Sequence, residues 1–242
     1  MCNGSIMDKL ISFSLPLMVS GILQLAFNAV DIIVVGRFSG SQALAAVGST
    51  TALINVFTNL FIGISLGANV LAARFYAAGK DREMSETVHT SITLALISGI
   101  MMAVIGVLLA KWALEIMGTP DDVIGQSALY MRIYFMGMPF FMLYNYGAAI
   151  LRAIGDTKRP LIFLIISGIA NAALNMILVI LFHMGVAGVA IGTIISQLIS
   201  CVLVLTCLYR SEGSYQLRFS KLKINGAYME QIFQVGVPAG IQ

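Results

Sequence analysis

Asp31 stands alone as a carboxylate within an otherwise uncharged, helix-length run from Leu10 to Gly36. An acid in the middle of a segment long enough to cross a bilayer costs about 2.5–3.5 kcal/mol on insertion scales, so it needs a compensating role. One such role is an ion or proton site lining a cavity; the other is a structural acid hydrogen-bonded to a neighbouring helix. Asn28 lies three residues before Asp31, on the same helix face, and Asn171 and Asn175 are one turn apart on another. With Thr193 they offer carboxylate, amide and hydroxyl oxygens, the hard ligands that suit sodium, around one fixed negative charge. The same set suits a proton, and the two would compete for it. Taken one by one, the asparagines and threonine also fit helix-to-helix glue.

Further candidates are weaker. Asn55, Asn59, Gly63 and Gly67 recur every four residues along one face; the glycines read as helix packing and the asparagines as cleft lining. Pro16 removes a backbone hydrogen bond from the Asp31 helix, which suits either a gating bend or a static kink. Arg132 is a substrate or gating charge, or an arginine snorkelling to the outer surface. His183 reads as an interfacial loop residue and His89 as a cytoplasmic one. The methionines, including Met136, Met138 and Met142, fit an adaptable drug-binding wall or ordinary apolar bulk.

The elements that must position these residues are membrane helices. Hydrophobic residues make up 59% of the 242 and charged residues only 10%, against about 25% charged in soluble domains, and mean hydropathy is +0.93. The chain is therefore an all-α integral membrane protein with the lipid bilayer as its solvent. Its net charge of +3 forms no nucleic-acid patch. Cys2, Cys201 and Cys207 have neither disulfide nor zinc spacing, and the first apolar run is too long for a cleaved signal.

Charges divide the chain into six spans: 10–36, 42–73, 90–110, 124–151, 161–182 and 187–209. The last two are separated by the reversal His183-Met184-Gly185-Val186. With a cytoplasmic N-terminus, Lys9, Arg74, Lys80, Arg82, Arg152, Lys158, Arg159, Arg210, Arg218, Lys221 and Lys223 lie inside and only Arg37 and Lys111 outside. That asymmetry sets the topology. Trp112, Tyr130, Tyr76 and Tyr209 then fall at span ends, where interfacial aromatics belong. At 1.5 Å per residue, Asp31 is roughly 8 Å below the outer end of its span. Asn175 and Thr193 lie at similar depth, so three helices contribute to one layer.

After six spans the chain re-enters the membrane. The stretch from Glu230 to Gly240 resembles that from Lys9 to Met18, with Pro238 placed 222 residues after Pro16. A second unit entering in the same direction makes a parallel repeat, with the transport path between the halves. The expected organisation is a six-helix lobe over 1–209, a cytoplasmic connector over 210–230 and the start of a seventh helix over 231–242. The expectation is that the chain is roughly half of a twelve-helix, two-lobe transporter, ending inside helix seven, and that a complete path requires the missing C-terminal lobe.

Several motifs together resemble the multidrug and toxic compound extrusion (MATE) family of antiporters. They are Asn28-Ala29-Val30-Asp31 on the Pro16 helix, Ala43-Leu44-Ala45-Ala46-Val47-Gly48, and Ala73-Arg74-Phe75-Tyr76-Ala77-Ala78-Gly79. Leu151-Arg152-Ala153-Ile154-Gly155-Asp156-Thr157-Lys158-Arg159-Pro160 and Gly185-Val186-Ala187-Gly188-Val189-Ala190-Ile191-Gly192-Thr193 complete the set. The resemblance implies a V-shaped plasma-membrane transporter of two lobes that exports organic cations and amphipathic drugs by alternating access, in exchange for sodium or protons. It implies a cation site at Asp31, Asn171, Asn175 and Thr193. Asn175 stands where relatives often carry an aspartate, which leaves one carboxylate rather than two. Arg152 and Asp156 belong to a loop motif that caps helix ends.

Other readings remain open. A lipid-linked saccharide flippase shares the superfamily fold, but its cleft would carry several cations for pyrophosphate, and Arg132 is the only intramembrane base. A six-span channel or structural subunit would assemble from repeated chains. An enzyme is not expected, because no nucleophile and base pair, metal cluster or phosphate loop is present, and no cofactor is implied beyond the coupling ion.

Overall fold

The computed structural model describes residues 6–241; Cys2 and Gln242 lie outside them, as does the side chain of Lys9. The described residues form helices without strands: α1 (Ile6–Phe38), α2 (Gly40–Ala77), α3 (Asp81–Ile116), α4 (Asp121–Met136), α5 (Met138–Ala153), α6 (Lys158–Met176), α7 (Gly185–Arg210) and α8 (Gly226–Ile241). Five helical stretches are long and apolar enough to cross a membrane. The sixth crossing is shared by α4 and α5.

That division departs from the single span expected over 124–151. Pro139 has no N–H, so the carbonyl of Phe135 loses its donor one turn later. Gly137 closes α4 instead with a tighter bond to Tyr134 O at 3.0 Å. Across from the break, a Cβ on Gly99 of α3 would strike Met138 and Pro139, and one on Gly106 would strike the Phe135 ring. The kink therefore fits glycines of α3.

Helices also run past the expected membrane limits, because charged residues sustain them in water. α3 begins at Asp81 rather than near Thr90, with Asp81 and Glu83 in its first turn and an i,i+4 pair between Arg82 and Glu86 at 3.0 Å. The loop between α5 and α6 is set by Gly155 in the left-handed region and by Asp156. The Asp156 carboxylate accepts from the Arg159 N–H at 3.1 Å and pairs with its guanidinium at 3.2 Å, which caps α6.

α5 occupies the centre of the bundle, packed by α2, α3 and α7, with Tyr146, Ile150 and Leu151 fully buried. Asn69 of α2 donates to Ala149 O at 2.7 Å, and Tyr144 of α5 donates to Pro160 O at 3.1 Å. Met138 and Met142 are buried in this core and Met136 is exposed, so these methionines serve as apolar bulk. α1 is peripheral, with only 11% of its apolar window buried, and Pro16 lies inside it without ending it.

α8 lies against α2, crossing it as closely as backbones permit. A Cβ on Gly67 would meet Ile232 O and Gly236 N; one on Gly63 would meet Gly240. Gly236 and Gly240 are equally closed off by Gly63, Ile64 and Leu60. Small residues at four-residue spacing on both helices thus interlock. The helix begins at Gly226, five residues before the expected 231, because Asn225 Oδ1 accepts from the Ala227 N–H at 3.1 Å and caps it.

Gly67→Leu is expected to lift α8 off α2. In a chain whose native cysteines are replaced by alanine, a cysteine substituted for the fully buried Ile232 should be inert to maleimide and become reactive when Gly67→Leu is added.

Candidate functional site

α1, α6 and α7 meet around Asp31. α1 reaches α6 because Gly168 has no side chain: a Cβ there would run into the Phe27 ring. α7 reaches α6 because Gly192 has none either, and a Cβ there would strike Asn175 Oδ1. Directly after Asn175, α6 passes into a wider π-helical turn, Ile177–Leu181, a local departure often found beside functional residues. The uninterrupted span expected over 161–182 therefore loosens next to the site.

The polar side chains form a line of hydrogen bonds that runs outward from the Asn175 amide. Thr193 donates to Val189 O at 3.0 Å, so its oxygen is the acceptor for Asn171 Nδ2 at 3.4 Å. Asn171 Oδ1 accepts from Asn175 Nδ2 at 3.3 Å, and Asn175 Nδ2 also donates to Asp31 Oδ1 at 2.5 Å. Asn175 Nδ2 therefore donates in two directions, to the carboxylate on one side and, through Asn171 and Thr193, toward Val189 O on the other. Asn175 is fully buried, and its Oδ1 has no hydrogen-bond partner among the described residues.

This geometry suits an ionised carboxylate met by an amide donor. The oxygens that could ligate a cation here are those of the carboxylate, the Asn171 amide, the Thr193 hydroxyl and the unpartnered Asn175 amide. The residue types fit sodium or a proton on chemical grounds.

Asp31, Asn171 and Thr193 line a cavity of about 490 Å³ bounded by α1, α2, α4, α5, α6 and α7. Asn28, Asn55 and Asn59 line it too, while Pro16 does not. The four-residue face of α2 is thus divided, with Asn55 and Asn59 toward the cavity and Gly63 and Gly67 toward α8. Tyr130, Tyr134, Phe141 and Tyr144 supply aromatic wall. Asp31 is the one charged residue among those lining it.

Tyr130 corrects the sequence reading. It is 7% exposed and turned into the cavity rather than set at a membrane interface, whereas Trp112, Tyr76 and Tyr209 are exposed. The neighbouring Tyr134 lies four residues on, its ring centroid 6.1 Å from that of Tyr130. That i,i+4 aromatic spacing was the available signal. Arg132, between them, is exposed on the outside of α4 and absent from the cavity wall, in accord with a snorkelling residue. The glycines at 168 and 192 gave a signal as well, since each lies within four residues of a candidate ligand.

The MatE family model matches residues 16–177. The probable multidrug resistance protein YoeA of Bacillus subtilis is 34% identical over 238 residues, covering 95% of this chain and 51% of YoeA. The multidrug export protein MepA of Staphylococcus haemolyticus is 28% identical, covering 98% of this chain and 52% of MepA. The crystal structure of MATE in the bent conformation superposes with a TM-score of 0.90 at 22% identity, over 98% of this chain and 53% of that one; it speaks for the fold. The chain spans about half the length of the curated relatives it matches.

Gly192→Ala is expected to push the Asn175 amide off Asp31 and lower stability by about 1–3 kcal/mol, the usual cost of overpacking. Gly21→Ala, on the same cavity with nothing within 4 Å of its Cβ, should stay within about 0.5 kcal/mol of the unsubstituted protein. Thermal unfolding of both variants in one detergent checks the contrast.

Proposed function

The chain belongs to the MatE family, and from that premise we propose that it forms the first lobe of a cation-coupled multidrug efflux antiporter. The observation that carries this reading is the Asp31 carboxylate, held by Asn175 at the wall of an aromatic cavity that contains no other charge. An organic cation is attracted both by a carboxylate and by the faces of Tyr130, Tyr134 and Phe141. A coupling ion at the same carboxylate would compete with it. Occupancy of Asp31 by sodium or a proton removes the charge that holds the drug, so the two leave or enter in alternation.

In this reading sodium or a proton is the transported counter-ion, held by Asp31, Asn171, Asn175 and Thr193. Neutralising Asp31 weakens the bond it accepts from Asn175 Nδ2, while the unpartnered Asn175 Oδ1 offers an acceptor to an incoming ion or hydroxyl. Residues 1–209 are the lobe, 210–230 the connector, and α8 opens the second lobe. The basic residues gathered at one end of the bundle support a plasma-membrane protein with a cytoplasmic N-terminus. The relatives' names, multidrug resistance and multidrug export proteins, support drugs as the cargo.

A flippase for lipid-linked saccharides is the lesser reading, since no arginine or lysine lines the cavity to receive a pyrophosphate. A channel or structural subunit leaves the buried, partnered acid unexplained.

The test uses the full-length protein in proteoliposomes, with efflux of a fluorescent organic cation driven first by a sodium gradient at constant pH and then by a proton gradient. Asp31→Asn is expected to reduce gradient-driven efflux to the background of empty vesicles without changing the elution volume of the purified protein. Unaltered efflux in that variant would refute the coupling role.

A further inference from the structure

At the basic end of the bundle, the segment between α7 and α8 is not a free tether. Leu217 is fully buried, and its N–H donates to Leu208 O at 3.0 Å. Three side chains from the start of α3 hold the residues from Arg218 to Asn225. His89 Nε2 accepts from the Arg218 N–H at 3.1 Å. Thr90 Oγ1 accepts from the Asn225 N–H at 3.1 Å and donates to Lys223 O at 3.4 Å. Glu86 accepts from Asn225 Nδ2 at 3.0 Å. Asn225 is the residue that caps α8, so this grip also fixes where α8 begins.

The bonds at His89 settle its protonation. Nδ1 is 2.6 Å from Ser85 O, which can only accept, so Nδ1 carries the hydrogen. Nε2 receives a backbone N–H and is bare. The imidazole is neutral, 4% exposed and engaged at both nitrogens. A proton on Nε2 would set two donors face to face and break the Arg218 bond.

We propose that His89 is a pH-sensitive latch, which in its neutral form clasps the 211–225 segment against α3 and on protonation releases it. The charged and titratable groups around it come from three elements: Arg82 and Glu86 on α3, Arg218, Lys221 and Lys223 on the segment, and Tyr228 on α8. The Arg82 guanidinium bonded to Glu86 holds that carboxyl below its usual range, with Asn225 assisting, so Glu86 stays an anion as pH falls through neutrality. Histidine is the side chain that ordinarily changes charge between about pH 5 and 8. Protonation adds a cation to a recess already lined by Arg82, Lys221 and Lys223. The clasp is therefore present at the higher pH and lost as pH falls. That this segment links two lobes rests on the antiporter reading; the latch itself does not.

Hydrogen–deuterium exchange of the purified protein in lipid nanodiscs tests it, with rates over 216–225 corrected for intrinsic exchange at each pH. Between about pH 7.5 and about pH 5.5, protection there is expected to fall at least about tenfold, while α5 keeps its protection. His89→Gln, whose amide oxygen accepts from Arg218 without titrating, should hold equal protection at both values, and Glu86→Gln should retain the pH response. The chain has two histidines, so imidazole NMR of the unsubstituted protein, with His183→Gln for assignment, tracks His89 directly. Its titration should coincide with the loss of protection. Protection unchanged by pH, a response that survives His89→Gln, or a titration that does not coincide would each overturn the latch. None of these outcomes bears on transport, so the antiporter reading is tested separately.

Discussion

A carboxylate on a membrane-crossing helix must be met by a donor from another helix, and the architecture around α1 follows from meeting Asp31 with Asn175. An isolated buried anion is too costly to keep without partners. The bond in turn requires α1, α6 and α7 to approach more closely than ordinary side chains allow. Gly168 admits the Phe27 ring and Gly192 admits the Asn175 amide. The site's polarity and its packing are therefore one constraint: glycines at the contacts are what let the asparagine reach the acid. Asn171 accepts the second Asn175 amide hydrogen bond and is itself held by Thr193, which helps keep the Asn175 amide turned toward α1.

The same device operates elsewhere in the fold. Glycine holds α8 to α2 and receives the α4–α5 break on α3. In lipid, apolar side chains gain little by leaving their surroundings, so close backbone approach and hydrogen bonds do the work that hydrophobic burial does in water. This explains why the most confined contacts involve the smallest residues, while large apolar residues such as Leu15, Ile22 and Leu108 remain exposed. It also explains why α2 serves two purposes with one face. Asn55 and Asn59 keep a cavity open where helices part, and Gly63 and Gly67 close the gap where they meet.

Apart from the divided α4–α5 crossing, the spans and the layer of polar residues are legible in the sequence because both depend on quantities that sequence carries directly. Lone charges mark span ends, and a fixed rise per residue converts position into depth. Asp31, Asn175 and Thr193 are grouped by that arithmetic and Asn171 joins them by sharing a helix face with Asn175, and the structure brings all four into one hydrogen-bonded line. Azimuth is what depth alone does not give. Tyr130 was placed at the correct level and on the wrong side, since an interfacial and a cavity-facing tyrosine share the same height. The break at Gly137 was hidden because Gly and Pro are tolerated within membrane helices, so neither residue by itself announces a change of direction. His89 needed tertiary information altogether: its partner Arg218 is 129 residues away.

α1 combines two properties that matter together. It buries the smallest share of its surface among the membrane-crossing helices, and it carries the one charge in the cavity wall. Its contacts are chiefly with α6, with α2 beside its outer end and α7 behind. A helix held by extensive packing would absorb a change at one carboxylate without moving. α1 is held by limited packing on one side plus the Asp31–Asn175 bond, so whatever occupies Asp31 acts on a large fraction of what retains it. A change of state at one side chain becomes a change in helix position only where the remaining contacts are few. Pro16, which deprives the same helix of one internal hydrogen bond, lies just over four turns from Asp31 on the pitch of a standard helix. Asp31 and the point of least backbone stiffness are thus separated along one lightly packed helix.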